Sequence, residues 1–106
     1  MAQATVTMAS PAAKQRVIDL IRAVSYHSTD QGACTWLTLR SDDSNSTGII
    51  YVGDSGVTTS NYGTQLLTAM SETWNNGKGC NDVDLMNKFV LGSAESLKLN
   101  IQWEYT

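Results

Sequence analysis

The stretch Leu97 to Tyr105 constrains this chain more than any other. Leu97, Leu99, Ile101, Trp103 and Tyr105 alternate with Lys98, Asn100, Gln102 and Glu104. A period of two puts every second side chain on the same side of an extended strand. The segment therefore predicts a β-strand with one buried face, and that face needs a second layer to cover it.

The rest of the chain suits one such core. It has 106 residues, of which 42% are hydrophobic and only 16% charged, so it reads as a single β-rich domain over 1–106 rather than a disordered segment. Seven Lys and Arg against ten Asp and Glu give a net charge of −3. Nucleic acid is not the expected partner, because phosphate binding needs a basic face. No run of about 18 apolar residues is present, so no membrane-spanning helix is expected. Met1 to Pro11 has neither a basic nor an apolar leader region, and the expectation is synthesis in the cytoplasm without export. Cys34 and Cys80 then read as reduced thiols. With one His and no Cys-x-x-Cys pair, zinc has too few ligands.

Local patterns place the other elements. Ala4 to Met8 alternates weakly, as a short strand or as part of an extended arm over 1–11. Ser10 and Pro11 form a helix-start signal, and Val17, Ile18, Leu20, Ile21 and Val24 share one helical face. A turn at Ser28 to Gly32 leads to a strand at Cys34 to Arg40. Ser41 to Gly48 is a polar loop, and Ile49 to Val52 is a second strand, so the two strands read as a hairpin. Val57 to Leu67 reads as a loop with a short extended end, Asn75 to Gly79 as a turn, and Asp84 to Leu91 as either strand or helical turns. Trp36 and Trp103 sit within alternating strands and are expected in the core, with Trp74 exposed.

Several strings imitate functional motifs. Gly53-Asp54-Ser55-Gly56 matches the nucleophile loop of chymotrypsin-like proteases, with His27 and Asp42 or Asp43 in the matching order. That chemistry needs a two-barrel fold about twice this length. The competing reading is a turn in which Gly53 and Gly56 take positive φ. The run from Asp43 to Gly48, continued to Asp54, imitates a calcium loop with Asp43, Asn45, Thr47 and Asp54 as candidate ligands. Thr47 and Asp54 are poor choices at their positions, and the flanks read as strands, so a solvated loop competes. Asp82 and Asp84 form a carboxylate pair with nothing else to mark a cleft. No catalytic constellation and no cofactor motif emerge, so the expectation is a non-enzymatic protein without a cofactor. A carbohydrate-binding module, stacking sugars on Trp74, Tyr62 or Tyr26, is the alternative from another class.

Cys34-Thr-Trp-Leu-Thr-Leu-Arg, the loop Ser41 to Gly48, the strand Ile49-Ile-Tyr-Val-Gly and its Ser/Asn-rich continuation to Asn61 resemble small structural proteins of tailed-phage virions. Leu91-Gly-Ser-Ala-Glu-Ser-Leu-Lys-Leu, with its aromatic-ending strand, extends the likeness to Tyr105. The resemblance implies a β-sandwich; joined to the helix read from Val17 to Val24, which those proteins do not share, the expected fold is mainly β, a small antiparallel jelly-roll-like sandwich with one short N-terminal helix. The resemblance also implies a capsid decoration (cement) protein, or else a tail or fibre accessory subunit. Such a protein would reside in the virion as a homotrimer bound to the major capsid protein or other virion proteins. The residues expected at that interface are Thr5, Val6, Thr7 and Met8, docking as a strand added to a neighbour's sheet.

Overall fold

The computed structural model describes residues 2–9, 13–24, 30–75, 83–94 and 96–105. In chain order its elements are β1 (Ala2–Thr7), β2 (Gln15–Arg16), α1 (Val17–Arg22), β3 (Ala33–Cys34), β4 (Trp36–Ser41) and β5 (Ile50–Gly53). There follow β6 (Thr64–Leu66), β7 (Ser71–Asn75), β8 (Val83–Asp84), β9 (Phe89–Gly92) and β10 (Lys98–Glu104). The fold is mainly β, with antiparallel sheets and one short helix, as the alternation at the C-terminus requires.

One sheet runs β1-β10-β4-β7 and another β2-β9-β5-β6, with a two-stranded ribbon β3-β8 beside them. β10 lies inside the first sheet, paired along one edge with β1 and along the other with β4. Its Leu99, Ile101 and Trp103 are fully buried. They join Leu37 and Leu39 of β4, Ile50 and Val52 of β5, Leu66 of β6 and Val90 of β9 in one cluster. Each such side chain contributes roughly 1.5–3 kcal/mol when taken out of water, so the two sheets hold each other through this shared interior.

The helix is shorter than its periodic pattern. It starts at Val17, whose N–H donates to the Lys88 carbonyl at 2.8 Å. Gln15 and Arg16, expected on the polar face of the helix, are instead β2, paired with Val90 and Phe89. That pairing sets the first helical residue, with Arg16 at the N-cap; the helix-start signal at Ser10 and Pro11 lies outside the described residues. Val17, Ile18, Leu20 and Ile21 are buried, and Arg22 favourably ends the helix against its dipole.

The expected hairpin between Cys34–Arg40 and Ile49–Val52 does not form. β4 pairs with β10 and β7, whereas β5 pairs with β9 and β6 in the other sheet. Both edges of β4 are therefore occupied, and the loop from Asp42 to Ile49 carries the chain across to the other layer. Asn45 anchors this crossing. Its Nδ2 donates to the Lys98 carbonyl (2.6 Å) and to Ser41 Oγ (3.0 Å), and its Oδ1 accepts the Lys98 N–H (2.9 Å). The amide thus acts on Lys98 as a neighbouring strand's peptide would. Thr68 adds a hydroxyl donated to the Asn45 carbonyl.

Other local readings resolve by packing. The strand expected at Cys34–Arg40 breaks at Thr35, whose N–H donates to the Glu104 carbonyl. Asp84–Leu91 is strand rather than helix at both ends, contributing to β8 and β9. Gly53 and Gly56 have no left-handed φ. Gly53 is small because a Cβ there would stand 3.2 Å from the Val57 side chain. The left-handed residues are Ala69 and Ser96.

Replacing Asn45 by Ala should lower unfolding stability by about 1–3 kcal/mol, since it removes the acceptor of the Lys98 N–H and leaves the Lys98 carbonyl with the 3.2 Å bond from the Asp42 N–H. Asp43→Ala, in the exposed part of the same loop, should cost less than about 0.5 kcal/mol. Urea titration of the two variants beside the parent checks both values.

Candidate functional site

The burial pattern of β4 alternates from Trp36 to Ser41, with Leu37, Leu39 and Ser41 inward. Trp36, Thr38 and Arg40 consequently point outward, where antiparallel register aligns them with residues of the neighbouring strands. One outer row runs Gln3, Gln102, Thr38 and Thr73 across all four strands. The next runs Thr5, Asn100, Arg40 and Ser71, and a third sets Trp36 between Glu104 and Asn75. The first two rows are thus amides and hydroxyls with one guanidinium, and the third places an indole beside the Glu104 carboxylate.

These side chains engage one another. Thr5 Oγ1 donates to Asn100 Oδ1 (2.9 Å), Gln102 Nε2 to Gln3 Oε1 (3.3 Å), and the Thr38 and Thr73 hydroxyls meet at 2.7 Å. Arg40 pairs with Asp43. The Ser44 hydroxyl and N–H donate to Asp42, holding its carboxyl below the usual range, and Asn100 adds a weaker donation. Together Gln3, Thr5, Thr38, Arg40, Asn100 and Gln102 line a shallow depression of about 590 Å³. Trp36 is therefore not a core residue; it is half-buried on this outer face.

Among the described residues, the edge of the same sheet is open along β1. Met8 donates its N–H to the Leu97 carbonyl at 2.8 Å. Backbone groups alternate in direction along a strand, so Ala2, Ala4 and Val6 also face β10. The N–H and C=O of Gln3, Thr5 and Thr7 face away from it. Of the two readings of Ala4 to Met8, short strand or extended arm, the structure has the strand for Thr5, Val6 and Thr7, with Met8 directly after it. They lie in or beside β1 within the chain's own sheet, because Val6 and Met8 carry apolar side chains that the core accepts. β1 has six residues and neither charge nor proline, whereas the edge strands β2 and β6 have two and three residues and β7 carries Glu72. Length, charge and proline are the usual protection of a sheet edge.

The other candidates are dispersed. Asn45 is buried and bound to Lys98, Asp43 holds Arg40, and Asp54 accepts the Gly56 N–H in the turn after β5. Thr47 is exposed in the crossing loop. The structure does not gather these four oxygens round one point, and no three potential metal ligands cluster among the described residues. Ser55 lies in that same turn, where its carbonyl accepts from Lys14. His27, Tyr26, Cys80 and Asp82 lie outside the described residues. Asp84 accepts from the Met86 N–H and the Asn87 amide. Tyr62 stacks at a tilt on Tyr51, their centroids 4.9 Å apart. Trp74, expected exposed, is half-buried against the core with the Lys88 ammonium 4.4 Å above its ring. Burial lowers the Lys88 pKa.

One grouping gave no sequence signal. Asp30 accepts from Trp103 Nε1 (3.0 Å) and from the Tyr105 hydroxyl (3.3 Å). It ties the segment before β3 to the end of β10, over more than seventy intervening residues. Close by, Cys34 is a free and buried thiol.

No helix among the described residues is long and apolar enough to cross a membrane. No protein-family model matches the chain. No curated protein matches it, and no solved structure does.

Burial pushes the Cys34 thiol up from 9.0 to about 11. Burial first, and then the Asp30 charge, push the Tyr105 phenol up from 10.0 to about 12. Above pH 9 the unfolded chain releases these protons while the folded chain keeps them, so stability falls as pH rises from about 9 toward 12. Urea midpoints measured across that range should decline, and Tyr105→Phe should flatten the upper part of the decline.

Proposed function

We propose that this protein is a non-catalytic assembly subunit that docks on a preformed protein lattice by adding the free edge of β1 to a neighbour's sheet. The observation that carries this reading is the long, uncharged and proline-free edge, with three outward-facing pairs of backbone groups at Gln3, Thr5 and Thr7. Main-chain hydrogen bonds supply affinity in such strand addition without demanding particular side chains. The phage-virion resemblance supplies the setting, a capsid bearing this chain as a decoration subunit. The small net charge of −3 leaves salt bridges a minor part, so docking should depend weakly on ionic strength.

A decoration subunit bands with particles from its source culture on a density gradient, where mass spectrometry finds it in stoichiometric amounts. A chain found only in the soluble fraction overturns the reading. Sedimentation of the purified protein tests the trimer that the resemblance implies.

Proline scanning of β1 separates docking from folding. Thr5→Pro removes an outward N–H, so it should abolish particle co-sedimentation while leaving the melting temperature within a few degrees of the parent. Val6→Pro removes a ladder bond to β10 and should destabilise the chain by about 3 kcal/mol. Retained co-sedimentation of a folded Thr5→Pro variant counts against docking through this edge.

A further inference from the structure

We infer that the outer face of the first sheet, centred on Asn100 and Gln102 of β10, is a binding surface for a neutral carbohydrate chain. The face offers both halves of what a sugar hydroxyl needs. A hydroxyl donates one proton and accepts through its lone pairs, while a primary amide provides two donors and an acceptor. With Gln102 donating to Gln3 and Thr5 to Asn100, the Gln102 carbonyl oxygen and the Gln3 amide protons are directed by bonds already made. The Thr38 and Thr73 hydroxyls, each other's partners at 2.7 Å, continue the row. Such cross-strand bonds hold these side chains before any ligand arrives, so ordering them on binding costs little.

Charge selects the ligand class. The two central rows carry a single ionic group, Arg40, and Asp43 neutralises it. At the rim exposed Lys98 acts on Asp42 and exposed Glu104 stands opposite Trp36, so two carboxylates accompany one ammonium and an anionic polymer meets no net positive charge. A lipid surface or an apolar peptide would bury the amides without replacing their bonds, which is costly. A neutral polyhydroxylated chain satisfies the amides and brings no charge.

Shape agrees with this. Trp36 shares the outer side of β4 with Thr38 and Arg40, so its half-buried indole borders the polar rows. The apolar C–H side of a sugar ring can lie on such an indole while its hydroxyls reach the neighbouring amides. From Trp36 to Arg40 the strand rises roughly 14 Å, enough for more than one ring laid along β4. The binding test alters side chains of Trp36, Thr38 and Gln102 on β4 and β10, whereas the docking test alters the β1 backbone, so this inference and the docking reading fail independently.

Calorimetric titration with maltohexaose, cellohexaose and xylohexaose, preceded by a glycan array, tests it, with a heparin hexasaccharide as the anionic comparison. At least one neutral oligosaccharide should bind with a Kd of about 1 mM or tighter, unchanged by added salt. Gln102→Ala and Trp36→Ala should each weaken that binding about tenfold, while Trp74→Ala and Tyr62→Phe bind as the parent does. Circular dichroism verifies folding of each variant, and Thr38→Ala replaces Trp36→Ala if the latter unfolds. Binding of the heparin fragment alone, binding indifferent to the β4 and β10 variants, or no neutral ligand on the array overturns the inference.

Discussion

Everything in this fold depends on β10 being buried from both edges and from one face. Its backbone is saturated by β1 on one side and β4 on the other, and Leu99, Ile101 and Trp103 fill the space between the layers. A strand in this position cannot slip by one residue, because a slip would turn the indole of Trp103 to solvent and bring Gln102 inside. Asn45 and Asp30 reinforce the two ends. The first grips Lys98 where β10 begins, and the second holds Trp103 Nε1 and the Tyr105 hydroxyl where it ends. Satisfying these polar groups matters because an unpaired one in a small core would cost a sizeable fraction of the net stability.

The same register composes the outer surface. Once Leu99 and Ile101 face inward, Asn100 and Gln102 face outward. Antiparallel pairing then fixes which residues of β1, β4 and β7 stand beside them. The amide and hydroxyl rows are therefore a by-product of core packing as much as a surface in their own right. Their position on the central strands makes them rigid, and rigid polar groups are better placed to select a ligand than groups on a loop.

β1 has a double character that comes from its length. Its inward side chains, Ala4 and Val6, pack against the core, and its inward backbone groups pair with β10. What remains, among the described residues, is a six-residue edge without charge or proline. Natural sheets seldom leave such an edge unguarded, and its contrast with the short strands β2 and β6 gives the molecule a direction in which another sheet can grow.

The alternation from Leu97 to Tyr105 was sufficient to establish a strand with one buried face, and with it the β class and a two-layered core. Periodicity is a local property, and burial answers to it directly. The helix was legible for the same reason, from Val17 to Ile21, but its start was not, because the pairing of Gln15 with Val90 decides where the helix can begin. Strand partners were hidden in the same way. Nothing near Ser41 to Gly48 says that β4 is already flanked by β10 and β7, so a hairpin was the natural local reading and a crossing between sheets was the outcome. Asn45 looked like a metal ligand because it is an oxygen-bearing residue in a polar loop; its amide turns inward because Lys98, far away in sequence, leaves a peptide there to be satisfied. Trp36 looked like core because it sits in an apolar strand, yet parity with Leu37 and Leu39 sends it outward. Residue type and spacing determined which segments extend and which faces are apolar. Only the tertiary structure decided which strands meet, because pairing depends on long-range edges that a sequence read in order does not display.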